Sequence, residues 1–163
     1  MGEDSIFKND NAVDRADDVI LETNDSGDHA SPVLGVADSQ AIKMVKQIVW
    51  GAIERRASDI FIETLEDVLR VRYRVDGLLT LVGTYSLDVA SSIVSCLKVL
   101  SNLDIAEHRF PQDGRFRMTL QGRTVDFRVS VLPANLGEKI VLRVLDKSGI
   151  TLNLDDMSFK RES

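Results

Sequence analysis

Cysteine is almost missing from this chain. Cys96 stands alone, so no intrachain disulfide can form and no cysteine-based metal cluster is available. It falls on an apolar helical pattern and reads as a buried structural thiol. Histidine is nearly as scarce: His29 and His108 are widely separated in sequence and supply neither a metal centre nor a Ser-His-Asp triad. His29 reads as a solvated linker residue. No apolar run approaches the roughly 18 residues of a membrane span, and no basic-then-apolar signal peptide opens the chain. These absences point to a cytoplasmic protein. The sequence also contains no GxxxxGKS/T loop, GxGxxG, HExxH or GxSxG motif, so it holds no complete catalytic constellation. Asp113 and Asp126 are acidic candidates, but turn and cross-strand roles account for them equally well.

The residues that are present suffice for a core, since 44% of the 163 residues are hydrophobic. Charge is unevenly spread. Residues 1–40 hold ten acidic and two basic side chains, a balance of −8, so the remainder carries +2 of the overall −6. A mildly basic domain therefore follows an acidic arm, a balance that disfavours avid nonspecific binding of nucleic acid. Residues 1–37 read as an acidic, flexible linker interrupted by the apolar island Val19-Ile20-Leu21.

Asp38 or Ser39 can cap a first helix running to about Arg56, with Ile42, Val45, Ile48, Val49, Ala52 and Ile53 as its apolar stripe. Trp50 lies off the centre of the stripe and reads as partly buried. A short strand, Ile60-Phe61-Ile62, follows. Next comes a hairpin turning at Asp76-Gly77, in which Leu69, Val71, Tyr73 and Val75 alternate with Arg70, Arg72 and Arg74. Those arginines either pair with Glu63 or Glu66 across the strands or recognise an anion. Ser86 can cap a second helix, from Leu87 to about Asn102, with Val89, Ile93, Cys96, Leu97 and Leu100 at helical spacing. Gln112-Asp113-Gly114 reads as a turn.

Three more strands follow. Phe116, Met118 and Leu120 alternate with Arg115, Arg117 and Thr119; Val125, Phe127, Val129 and Val131 with Asp126, Arg128 and Ser130; Ile140, Leu142 and Val144 with Val141, Arg143 and Leu145. A period of two puts the first set of each on a buried face. Paired as a meander, the strands can bring Arg115, Arg128 and Arg143 to one solvent side. Like charges there repel unless an anion faces them, and guanidinium groups suit bidentate contact with phosphate or carboxylate. The predicted fold is α+β: an antiparallel sheet of about six strands backed by helices.

The segments ASDIFIE, RYRVDGLL, LKVLSNLDIAEHRFPQDGRFR, VDFRVSVLPANLGEKIVLRVLD and LNLDDM resemble the type II/IV secretion ATPase family over about Asp38 to Met157. That family includes the assembly motors of type II secretion and type IV pili. The resemblance implies that residues 38–147 are the PAS-like domain preceding the P-loop core, with 148–163 beginning the linker to it. The chain stops before the Walker A loop and the other core motifs, so it is expected to be inactive alone. ATP and Mg would belong to the full-length hexamer, with nucleotide between this domain and the core, and none is expected bound to this chain alone. The implied partners are that core, neighbouring subunits and inner-membrane platform proteins, and the implied location is peripheral to the inner membrane.

By position in the motifs, Arg128 and Arg143 are the implied phosphate-charge stabilisers. Arg115 and Arg109 come second, at the phosphates or at the interface with a neighbouring core. This chain has SDIFIET where the family commonly has SDIHIEP, so Phe61 and Thr64 stand in place of His and Pro, which argues against a polar role at position 61 and not against the fold. Two other readings compete. One is a stand-alone PAS-like sensory module holding a small anion. The other is a nucleic-acid-binding sheet, which lacks interleaved aromatics because only Tyr73 stands among the arginines.

Overall fold

The structure, a computed structural model, describes residues 18–23 and 39–146. Seven strands and two helices follow in the order β1 (Ile20–Thr23), α1 (Ser39–Glu54), β2 (Asp59–Thr64), β3 (Val68–Val75), β4 (Leu78–Ser86), α2 (Leu87–Leu100), β5 (Gln112–Leu120), β6 (Arg123–Ala134) and β7 (Gly137–Leu145). All strand pairs are antiparallel, in one open sheet ordered β1-β5-β6-β7-β2-β3-β4. The expected α+β architecture is therefore present, with one strand more than anticipated. That strand comes from the apolar island: Val19 and Leu21 are buried, and Ile20–Thr23 pairs along the outer edge of β5. The rest of the expected 1–37 linker, Asp38, and the expected 148–163 segment lie outside the described residues.

Alternation dictates the layers. Ile60, Ile62, Leu69, Val71, Tyr73, Phe116, Met118, Val125, Phe127, Val129, Ile140 and Leu142 are buried in one core with the apolar stripes of α1 and α2. Phe116 and Phe127, opposite one another on β5 and β6, stack at 4.9 Å between ring centroids. Tyr73 reaches through the core to donate its hydroxyl hydrogen to the Ile48 carbonyl of α1. Trp50 is buried, and Cys96 is a buried free thiol whose pKa burial pushes up to about 11.

The turns are set by local backbone chemistry. Asp76-Gly77 and Gln121-Gly122 each hold two successive residues at positive φ, the signature of two-residue hairpin turns that match strand twist. Both helices end in a left-handed residue. At Arg56, φ is 55°, with Ala57 N–H bonded to Ala52 O and Arg56 N–H to Ile53 O. Asn102 is left-handed in the same way, with Leu103 N–H bonded to Lys98 O and Asn102 N–H to Val99 O, a pattern that satisfies the last helical carbonyls. Ser86 occupies the N-cap of α2, but its side chain makes no capping hydrogen bond.

Gln112-Asp113-Gly114 is not a turn. It begins β5, paired with Val131, Ser130 and Val129. Glycine is required there for space: a Cβ on Gly114 would lie 2.4 Å from the Ser101 carbonyl oxygen, where α2 ends against the sheet. Because that neighbour is backbone, Gly114→Ala should lower the free energy of unfolding by about 1–3 kcal/mol, the usual range for overpacking. The midpoint of urea denaturation measures this; an unchanged midpoint would contradict the close approach.

Candidate functional site

The register of β5, β6, β7, β2 and β3 lines up one transverse row of side chains on the face opposite the core. Arg115 is opposite Arg128, Arg128 opposite Arg143, Arg143 opposite Asp59, and Asp59 opposite Arg74. Directly opposed residues point to the same side, with Cα atoms about 4.5–5.5 Å apart. The meander thus gathers the three arginines in the geometry that alternation allows.

Their surroundings differ. The Arg143 Nε lies 3.3 Å from Asp59 Oδ1, yet its side chain remains 67% exposed. Arg74 approaches the same carboxylate at 3.6 Å, and Ser58 donates its hydroxyl hydrogen to it at 2.8 Å. Asp59 is buried. The Arg56 turn delivers it, because Ser58 then joins the sheet through Ser58 N–H to Arg74 O and Val144 N–H to Ser58 O. Arg115 and Arg128 are exposed, and neither has an acidic partner among the described residues. Beside them, Arg117 pairs with Asp126 at 2.8 Å, and Ser130 hydrogen-bonds Asp113 at 2.8 Å.

The second basic stripe is internally neutralised. Arg70 and Arg72 both bond Glu63, whereas Glu66, the other expected partner, is exposed. Burial works against the Glu63 charge, but the Arg72 hydrogen bond and the charges of Arg72, Lys139 and Arg70 outweigh it and hold the carboxyl below its ordinary 4.5. These arginines therefore follow the cross-strand-pair alternative.

Phe61, also on this face, has Arg74 from β3 at 5.4 Å and Lys139 from β7 at 5.8 Å from its ring centroid. Tyr73, the aromatic expected among the arginines, is instead fully buried in the core.

Arg109 does not join the row. It is 82% exposed on the loop before β5, 3.7 Å from Glu107 and over the Phe110 ring. Lys98, absent from the sequence-level stripe of α2, anchors that loop. Although only 1% exposed, it bonds Glu138 at 2.7 Å and Glu107 O at 2.9 Å. His108 Nδ1 lies 3.4 Å from the same Glu138 oxygen. Lys98, His108 and Glu138 line a cleft of about 470 Å³ with Leu87, Ala90, Val94 and Ile105. Among the described residues, no three His, Cys, Asp or Glu side chains gather as a metal site, and no helix is long and apolar enough to cross a membrane.

Two outcomes follow from this charge arrangement. Arg128 stands between two like charges, so Arg128→Thr should raise the stability of the chain by about 0.2–1 kcal/mol, and added salt should narrow the difference. Paired thermal melts at low and high salt measure this; a lowered melting temperature at both would contradict the repulsion. Glu63, whose native pKa is depressed, contributes fully above its unfolded value of 4.5 and loses that contribution as pH falls through the lower native value. The stability gap between wild type and Glu63→Gln should therefore be widest near neutrality and close in acid. A gap that persists unchanged to the acid limb would contradict the ion-pair assignment.

Comparison with known proteins gives this geometry a context. The family model described as Type II/IV secretion system protein matches residues 36–163. The Type II secretion system protein E of Dickeya dadantii is 46% identical over 121 residues, covering 74% of this chain and 24% of that protein. The Type IV pilus assembly ATPase PilB of Acinetobacter baylyi is 43% identical over 126 residues, 77% of this chain and 22% of its own length. The PilB of Myxococcus xanthus is 38% identical over 147 residues, 90% of this chain and 26% of its own length. The chain spans about a quarter of the length of these curated relatives. With a family model matching most of its residues and relatives this similar, the chain belongs to the type II/IV secretion system protein family.

Proposed function

We propose that this chain is the segment of a hexameric secretion or pilus-assembly ATPase that supplies arginines to nucleotide phosphates at an interface with the catalytic core. The observation that carries the reading is the Arg115–Arg128–Arg143 run on the solvent face, in which Arg143 alone has an acidic partner, Asp59, among the described residues. Arg128 is the strongest phosphate ligand in this scheme, being exposed and without an acidic partner among the described residues. Arg143 shares it, oriented by Asp59 yet open to solvent. Arg115 extends the row, and Arg109, on its separate loop, suits an interface with a neighbouring core domain. ATP fits such a row, because phosphate oxygens satisfy guanidinium donors bidentately and relieve their mutual repulsion. Magnesium would be held by the nucleotide and the core, since the described residues gather no metal ligands.

Bound nucleotide supplies the hydrolysable phosphoanhydride. The work of this chain is charge stabilisation and domain attraction. With phosphates opposite, the arginines hold the sheet face against the core; once phosphate leaves, their repulsion returns and favours separation. Repeated around a ring at the inner membrane, that cycle would move platform proteins and drive extrusion of pilin-like subunits or protein secretion.

The alternative of a small anion held inside the domain has less support. The cleft's buried cation, Lys98, is already satisfied by Glu138 and the Glu107 carbonyl.

The test places this segment in the Dickeya dadantii relative in exchange for its equivalent, with an unsubstituted exchange as control. Arg128→Ala and Arg143→Ala should each lower ATP turnover by about tenfold or more without lowering the unfolding midpoint of the segment. Control-level turnover in both variants would refute the assignment.

A further inference from the structure

Phe61 occupies an unusual position for an aromatic side chain. It is half-buried near the centre of the sheet face, on β2, with Arg72 and Val141 directly opposite on the flanking strands. Diagonal to it are Arg70 and Arg74 on β3 and Lys139 and Arg143 on β7. The acids nearest on its own strand, Asp59 and Glu63, are engaged by arginines. Two of the cations lie within cation–π range of the ring, Arg74 at 5.4 Å and Lys139 at 5.8 Å. They are held differently. Arg74 is tethered to Asp59, whereas Lys139 forms no ion pair among the described residues. Lys139 can therefore leave the ring without breaking a salt bridge, while its charge stays beside Glu63, its direct neighbour across β2.

Resting on the nucleotide reading above, we infer that Phe61 is the stacking platform for the nucleobase whose phosphates meet Arg128 and Arg143. The base takes the place of Lys139 over the ring, and Lys139 turns toward Glu63, directly opposite it on β2. Register supports the span. Phe61 and Arg128 are separated by two strands and two residues, roughly 12 Å between Cα positions by standard sheet spacings, comparable to the reach of an extended nucleoside triphosphate. The observations favour a mononucleotide over a single strand of nucleic acid. A strand-binding face needs successive aromatics and a continuous basic track. Here Phe61 stands without a second aromatic on the described strands of this face, and Asp59, Glu63, Asp113 and Asp126 interrupt the basic residues.

The experiment is a heteronuclear NMR titration of this chain with ATP, with inorganic tripolyphosphate and with a short oligothymidylate, at matched ionic strength and carried to high ligand concentration, because on this reading the chain holds one half of the site and binds weakly by itself. Tripolyphosphate carries at least the charge of ATP, so a preference for ATP reports the base. Wild type should bind ATP about tenfold more tightly than tripolyphosphate, one base stack's worth. Phe61→Ala should erase that preference and leave tripolyphosphate affinity unchanged, and Phe61→Trp should keep it. Arg128→Thr should weaken both ligands.

Equal affinity of wild type for ATP and tripolyphosphate would overturn the platform while leaving the phosphate reading standing. The same holds if Phe61→Ala weakens both ligands alike. Failure of either phosphate compound to bind in an arginine-dependent way would overturn both readings. Oligothymidylate binding more tightly than ATP, with dependence on Phe61, would overturn the mononucleotide assignment in favour of a strand.

Discussion

Repulsion between guanidinium groups on neighbouring strands is the constraint around which this face is arranged. Arg128 is directly opposed by Arg115 on one side and Arg143 on the other, an arrangement that strand pairing alone would avoid. The fold tolerates it because the opposite face of the same strands is fully committed. Phe116, Phe127, Val129 and Leu142 are buried beneath those arginines. Each such side chain is worth about 1.5–3 kcal/mol of burial, against at most about 1 kcal/mol for an exposed like-charge pair. The core therefore fixes the register, and the register fixes the charge cluster.

The carboxylates are not scattered at random over this surface. Glu63 serves Arg70 and Arg72, Asp59 serves Arg74 and Arg143, and Asp126 serves Arg117. Neutralisation is thus concentrated to either side of Arg128. A sheet face that needed only solubility could mix its charges evenly; this one keeps its centre positive. Under the proposed function that positive centre faces an anionic ligand, and the predicted cost of repulsion would be the stability given up for the site.

Much of this was legible in the sequence because it depends on local rules. Period-two alternation placed Phe127 inward and Arg128 outward, and the Asp-Gly and Gln-Gly pairs marked hairpins. What escaped depends on distant partners. Val19-Ile20-Leu21 becomes part of an edge strand only because β5, about a hundred residues later, leaves an edge to pair with. Gly114 looks like a turn residue until the end of α2 is seen against it. Lys98 in an apolar helix is stable only because Glu138 lies 2.7 Å away, across 40 residues of chain. Arg109 sits close to the row in sequence, but its loop is held by Lys98 and Gln112 and lies off the sheet. Nothing in the sequence around Phe61 marks a cation site, because the cations beside it come from two other strands.

The central claim is that the middle of the sheet face is a polyphosphate site defined by Arg128 and Arg143. The most direct measurement is to follow the arginine side-chain Nε–H resonances of this chain while tripolyphosphate is added. The account predicts that the Arg128 and Arg143 signals move along one common binding curve, while those of Arg70 and Arg72, held by Glu63, stay in place. Uniform small shifts across all arginines, or movement led by Arg70 and Arg72, would contradict it.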